Sequence, residues 1–92
     1  MRIAVVGSGY VGLVSGACLA DFGHEVTCID SDVAKIEALK RGIMPIYEPG
    51  LDQIVAKNGA AGRLVFTTEL EEAVSRAEAV FIAVGTPSRR GD

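Results

Sequence analysis

The chain has few of the side chains that build metal centres, disulfide scaffolds or histidine-based active sites. Its 92 residues contain two cysteines, one histidine and no tryptophan. The spacing of Cys18 and Cys28 fits no zinc pattern, and each lies among apolar neighbours in a predicted helix or strand. We therefore expect two buried, inert thiols and no disulfide. His24 follows Gly23 at a predicted helix end, where a histidine more often interacts with the helix dipole than acts as a base.

Positive charge and long apolar runs are also scarce. Nine lysines and arginines stand against twelve acidic residues, so the basic surface needed for non-specific nucleic-acid binding is missing. No run of apolar side chains approaches the length of a membrane span. With 49% hydrophobic and 23% charged residues, the composition indicates one small globular domain or part of a larger one. The sequence leads straight into a predicted strand without a signal peptide, so the cytoplasm is the expected compartment.

What the sequence does contain is a glycine-rich turn between a short apolar run and a helical pattern. Gly7, Gly9 and Gly12 have the spacing GxGxxG, and a second apolar run further along ends in Asp30. Strand, glycine turn, helix, strand and terminal acid form the dinucleotide-binding fingerprint. The first glycine permits a tight turn, the second leaves room for a pyrophosphate, and the third allows close helix packing. A simple turn would explain one glycine but not three followed by an acid.

Asp30 also indicates which dinucleotide is bound. A carboxylate at the end of the second strand accepts hydrogen bonds from the adenosine ribose and repels the 2′-phosphate of NADP. The next residues, Ser31 and Asp32, are not basic. We therefore expect NAD rather than NADP as the cofactor. Asp32 itself is expected to cap the helix that follows.

Apolar runs alternate with helical patterns along the rest of the chain. The expected strands are 2–6, 25–29, 63–67 and 79–84, and the expected helices are 10–22, 33–41, 51–57 and 69–76, the last capped by Thr68. This alternation predicts an α/β fold, a Rossmann-like doubly wound parallel sheet of about four strands in the order 3-2-1-4. Gly7 and Gly85 follow the first and fourth strands, so their loops should face one crevice.

Four strands are fewer than this fold usually has. We interpret residues 1–92 as the N-terminal part of an NAD-binding domain, truncated and without its substrate domain. The alternative is a small domain that another chain completes. In either case one side of the sheet should present an apolar edge.

Four segments carry a more specific resemblance. They are the opening Gly7–Gly12 (GSGYVG), Asp30–Asp32 with Lys35 and Ile36, the loop Pro45–Leu51 (PIYEPGL), and Val84–Ser88 (VGTPS). In this order and at this spacing, they resemble the UDP-glucose/GDP-mannose dehydrogenases over nearly the whole chain. Tyr47 within the loop, together with the ending Ser-Arg-Arg-Gly-Asp, is most similar to the bacterial UDP-glucose 6-dehydrogenases.

The resemblance implies a cofactor site, residue by residue. Val11 would contribute backbone to the pyrophosphate, and Asp30 and Lys35 would hold the adenosine ribose. Thr86 would approach the ribose and phosphate on the nicotinamide side. Lys35 could instead be a solvated helix charge, and Thr86 a turn residue before Pro87. The complete expected set is Gly7, Gly9, Tyr10, Val11, Gly12, Asp30, Lys35, Gly85 and Thr86.

The resemblance also implies a reaction for the parent protein. Members of the family oxidise the C6 alcohol of a nucleotide sugar twice, using two NAD, and a cysteine holds the intermediates covalently. That cysteine lies beyond residue 92 in the family, and Cys18 and Cys28 do not match it. We therefore expect this chain to bind NAD without turnover, and the full-length protein to form a homo-oligomer. Alternatives are a family member acting on GDP-mannose or a UDP-amino sugar, and a standalone nucleotide-binding module without catalysis.

Overall fold

A computed structural model describes residues 1–45 and 47–84, which form four strands and four helices. The elements are β1 (Arg2–Val6), α1 (Tyr10–Asp21), β2 (Glu25–Ile29), α2 (Val33–Lys40), α3 (Leu51–Ala60), β3 (Leu64–Thr67), α4 (Leu70–Arg76) and β4 (Ala79–Ile82). No helix within these ranges is long and apolar enough to cross a membrane.

The four strands form one parallel sheet in the order β3-β2-β1-β4. This order confirms the predicted Rossmann-like α/β fold. Val6, at the end of β1, is level with Ile29 of β2 and with Ile82 of β4. Because the strands are parallel, the loops that follow these three residues leave from the same end of the sheet, the carboxyl end of its strands. The connections change direction between β1 and β4, which is where such sheets form a ligand-binding crevice.

The apolar core lies between the sheet and the helices α1, α2 and α3. Its members are Ile3, Val5, Leu13, Ala17, Ala20, Val26, Cys28, Ile36, Leu39, Leu51, Val55, Leu64 and Phe66. α4 contacts β1 and β2 from the opposite face, where Thr27 and Val65 line a groove of about 310 Å³ together with Ala73. β4 is apolar as predicted, but three of its four side chains are exposed, and it is one of the two edge strands in the described residues.

The predicted strands and helices are all present, and every boundary but one coincides or differs by one or two residues, as helix and strand ends usually do. α3 is the exception, because it continues through Asn58 and Gly59 to Ala60. Asn58 does not end the helix. Its side-chain amide is buried and donates a hydrogen bond to the Ile54 carbonyl oxygen, 2.9 Å away. The chain turns instead at Gly62, which has a φ of 79°.

Two of the three predicted helix-end features are confirmed. Asp32 caps α2, since its carboxylate accepts a hydrogen bond from the Lys35 N–H at 3.1 Å. Gly23 follows α1 with a φ of 110°. The cap predicted for α4 is wrong: Glu69 is the N-cap residue, not Thr68, and its N–H donates to the Thr67 hydroxyl at 3.1 Å.

The two cysteines lie in different environments. Cys28 is buried as predicted, and burial raises the pKa of its thiol to about 12. The prediction was wrong for Cys18, which is exposed. α1 buries Leu13, Ala17 and Ala20 against the sheet, and one further residue turns a helix by about 100°, so Cys18 leaves the buried face.

A polar cluster fixes the end of the sheet opposite the crevice. The Asn58 side chain is fully buried, and its amide donates to the Asp21 carboxylate at 3.1 Å. The amide oxygen of Asn58 accepts from Nε of Arg63 at 2.9 Å. Lys57 pairs with Asp21 at 2.9 Å. These contacts join the end of α1, the end of α3 and the segment before β3.

Candidate nucleotide-binding site

The loop between β1 and α1 requires glycine at its first position. Gly7 has a φ of 108°, and a Cβ there would come within 3.0 Å of the backbone of Ala83 and Val84, just after β4. The Gly7 N–H donates to the Ile29 carbonyl at 2.7 Å, which ties the loop to the end of β2. The loop is therefore held between the ends of the two strands that flank β1.

Gly9 and Gly12 differ in what surrounds them. A Cβ on Gly12 would overlap the Gly7 carbonyl oxygen and lie 3.3 Å from the Cβ of Ala83, so α1 begins directly against the loop. Around Gly9, by contrast, no described atom lies within 4 Å of a Cβ position, and its φ of −74° suits any residue. The protein's own packing therefore does not require glycine at position 9. The open space beside it allows a bound group to approach the backbone, as a pyrophosphate must.

The start of α1 offers hydrogen-bond donors to an anion. Gly9 is its N-cap residue, no side chain caps the helix, and no acidic residue occupies its first turn. The N–H groups of a helix's first turn have no acceptor within the helix and lie at the positive end of its dipole. Tyr10 and Val11, which begin this turn, are both exposed. The residues present thus fit a phosphate group at this position.

Asp30 lies next to the glycine loop, and Ser8 makes the contact. Oδ2 of Asp30 accepts from the Ser8 N–H at 3.0 Å and from the Ser8 hydroxyl at 2.8 Å. Oδ1 accepts from the Asp32 N–H at 2.9 Å. Sequence reasoning did not select Ser8, because a small polar residue between two glycines resembles an ordinary turn. Its full burial is the feature that distinguishes it.

The surroundings of Asp30 keep its carboxylate ionised. Burial favours the neutral acid and is the largest influence, but the donors from Asp32 and Ser8 and the Lys35 ammonium act together in the other direction. The net effect lowers the pKa of Asp30 below its ordinary value. The site therefore presents a negative charge throughout the neutral range. A carboxylate of this kind is suited to accept hydrogen bonds from ribose hydroxyl groups and would repel a 2′-phosphate.

Lys35 is brought to the same carboxylate from the first turn of α2. Its Nζ lies 3.7 Å from Oδ2 of Asp30, and one third of its side chain is exposed. A lysine at this place can contact a ribose hydroxyl that also contacts Asp30. Its role in binding stays a prediction.

Tyr10 links the glycine loop to the proline-containing loop before α3. Its hydroxyl donates to Oε1 of Glu48 at 3.1 Å. This hydrogen bond, together with the charge of Glu48, raises the pKa of the Tyr10 hydroxyl. The sequence showed both segments as motifs, but nothing in it indicated that they meet. Gly85 and Thr86, the other two expected site residues, lie outside the described residues.

No group of three His, Cys, Asp or Glu side chains suited to a metal ion occurs among residues 1–45 and 47–84. The polar groups that converge at the crevice are those of the glycine loop, the start of α1, Asp30 and Lys35. They suit a ligand that carries phosphate and ribose.

The sequence of this chain is similar to those of known proteins. The model of the UDP-glucose/GDP-mannose dehydrogenase family, NAD binding domain, matches residues 1–92. UDP-glucose 6-dehydrogenase from Rhizobium meliloti is 64% identical over 92 residues, which are 100% of this chain and 21% of that protein. UDP-glucose 6-dehydrogenase TuaD from Bacillus subtilis is 51% identical over 92 residues, covering 99% of this chain and 20% of that protein.

Solved structures agree with these sequence matches. GDP-mannose dehydrogenase from Pseudomonas aeruginosa, crystallised as a ternary complex, superposes with a TM-score of 0.93 at 43% identity, over 99% of this chain and 21% of that chain. A UDP-glucose dehydrogenase from the archaeon Pyrobaculum islandicum gives a TM-score of 0.89 at 42% identity, over 96% of this chain and 20% of that chain. The chain thus spans about one fifth of the length of its relatives.

Proposed function

Because this chain belongs to the UDP-glucose/GDP-mannose dehydrogenase family through its NAD-binding domain, we propose that it is the NAD-binding part of a UDP-glucose 6-dehydrogenase. The identity of 64% to a UDP-glucose 6-dehydrogenase supports UDP-glucose as the substrate of the parent protein. Residues 1–92 would form the N-terminal part of the cofactor domain, and the substrate domain would lie elsewhere in that protein.

One observation carries the cofactor assignment: an ionised carboxylate, Asp30, is fixed beside an uncapped helix N-terminus. In the proposed complex, the first-turn N–H groups of α1 bind the pyrophosphate, and Gly9 leaves the space for it. Asp30 and Lys35 hold the adenosine ribose. NAD, when bound, would accept the hydride from the substrate carbon. The residues described above would hold its adenosine half.

The parent protein would oxidise UDP-glucose to UDP-glucuronate in two NAD-dependent steps. The nucleophilic cysteine of this reaction would come from outside this chain. Cys28 is unsuited to the role because its thiol is buried and its pKa is raised to about 12, so almost no reactive thiolate forms. Alone, the chain would bind NAD without catalysing oxidation. The parent would act as a homo-oligomer in the cytoplasm, where NAD and nucleotide sugars are available.

Calorimetric titration of the chain with NAD and NADP tests the proposal. We expect saturable NAD binding, little NADP binding, and NAD affinity weakened at least about tenfold in Asp30→Ala, since a charge-assisted hydrogen bond contributes about 1.5–3 kcal/mol. Glu25→Ala is the matched control, because it removes an exposed carboxylate from the opposite end of β2. Equal affinity of Asp30→Ala and the original chain for NAD would refute the ribose assignment.

A further inference from the structure

Ser8 is the buried polar residue of the glycine loop. Its relative exposure is 0%, whereas Gly9 and Tyr10, which follow it, are exposed. Direct contact with a cofactor therefore does not explain a serine at this position. The hydroxyl instead lies 2.8 Å from Oδ2 of Asp30, a residue 22 positions further along the chain.

The contacts to Asp30 are divided unequally between its two oxygens. Oδ2 accepts both the N–H and the hydroxyl of Ser8, and the Lys35 ammonium lies 3.7 Å from it. Among the described residues, Oδ1 accepts the Asp32 N–H. An ionised carboxylate has about four acceptor positions, two on each oxygen. Ser8 thus fills both positions on Oδ2, and the position left over is on Oδ1.

We propose that Ser8 is a positioning residue of the adenosine-ribose subsite, whose hydroxyl locks the Asp30 carboxylate in the orientation that presents Oδ1 to a ribose hydroxyl. The inference rests on the proposed NAD-binding function and adds a residue that orients the Asp30 carboxylate. Two donors from one residue hold Oδ2 more firmly than the backbone N–H alone would. A carboxylate held in one orientation loses less rotational freedom when the ribose binds.

A double-mutant cycle in NAD binding separates this role from a merely structural one. The variants are Ser8→Ala, Asp30→Ala and the double variant, with affinity measured by calorimetry at neutral pH. Ser8→Ala removes the hydroxyl but keeps the N–H. We expect NAD affinity to fall roughly fivefold, the size of one hydrogen bond, and to change little when the same substitution is made in Asp30→Ala. Ser75→Ala, on the surface of α4, is the control and should leave affinity unchanged.

A second readout depends on the ribose hydroxyl itself. ADP and 2′-deoxy-ADP carry the same phosphates, so their difference in affinity reports the contact to the 2′-hydroxyl. We expect the original chain to prefer ADP, and this preference to shrink in Ser8→Ala. A general distortion of the loop would weaken the binding of ADP and of 2′-deoxy-ADP equally.

The outcomes distinguish the inference from the function on which it rests. NAD binding by the original chain, with equal losses from Ser8→Ala in both backgrounds and an unchanged ADP preference, would overturn the positioning role alone. Failure of the original chain to bind either NAD or ADP would overturn the proposed function and the inference together. A loss that disappears in the Asp30→Ala background supports both.

Discussion

Replacing Gly12 by alanine should destabilise the chain although alanine favours helices. In an unobstructed helix the change would stabilise by about 1 kcal/mol. Here the new Cβ would overlap the Gly7 carbonyl oxygen and lie 3.3 Å from Ala83. The loop cannot retreat, because the Gly7 N–H is bonded to Ile29 at 2.7 Å and Gly7 lies against Ala83 and Val84. α1 must therefore move, and overpacking of this kind costs roughly 1–3 kcal/mol.

The net loss in free energy of unfolding should be up to about 2 kcal/mol, the overpacking cost less the gain in helix propensity. Gly59→Ala is the matched control, since Gly59 is also helical and the nearest atom to its Cβ position is 4.0 Å away. That variant should be more stable by about 0.5–1 kcal/mol. Urea denaturation followed by circular dichroism measures both, and calorimetry should show weaker NAD binding in Gly12→Ala alone. If both substitutions stabilise and leave NAD affinity unchanged, the close approach of α1 to the loop is refuted.

Two further predictions concern the polar groups at the two ends of the sheet. Asn58→Ala should lower the free energy of unfolding by about 2–3 kcal/mol, because it breaks buried hydrogen bonds to Asp21 and Arg63. Lys57→Ala removes an exposed ion pair with Asp21 and should lower it by less than about 1 kcal/mol. Urea denaturation separates the two, and neither should change NAD affinity. The lowered pKa of Asp30 predicts that NAD affinity is retained at neutral pH, and that the loss caused by protonation of this carboxylate has its midpoint below the ordinary value of 3.8. A calorimetric pH series showing a midpoint above 4 would mean that burial outweighs the hydrogen bonds.

The fold was predictable because its strands are short apolar runs separated by helical patterns. The parallel sheet and its order follow from that alternation and from the handedness of crossovers. What the sequence could not supply was the phase and length of individual helices. The Asn58-Gly59 pair usually marks a turn, but burial of the Asn58 amide keeps it in α3. Cys18 lies among apolar neighbours in sequence, yet it falls on the exposed side of α1.

The sequence predicted those site residues that residue type and spacing alone identify. It missed those whose role depends on a contact between distant parts of the chain. Asp30 follows a strand and is acidic, and the glycines have a diagnostic spacing. Ser8 carries no such mark, because its importance comes from burial beside a carboxylate 22 residues away. The hydrogen bond between Tyr10 and Glu48 has the same origin, since 38 residues separate them.

The two ends of the sheet explain why binding should occur at one of them. At the amino end, the buried amide of Asn58 is bonded to Asp21, Ile54 and Arg63, so both its donor and its acceptor groups are already used. At the carboxyl end, α1 begins without a side-chain cap, and Oδ1 of Asp30 retains an acceptor position among the described contacts. Donors and acceptors that the protein's own groups do not use are what a phosphate and a ribose require. The chain thus keeps its free hydrogen-bonding capacity at the end of the sheet where the fold opens a crevice.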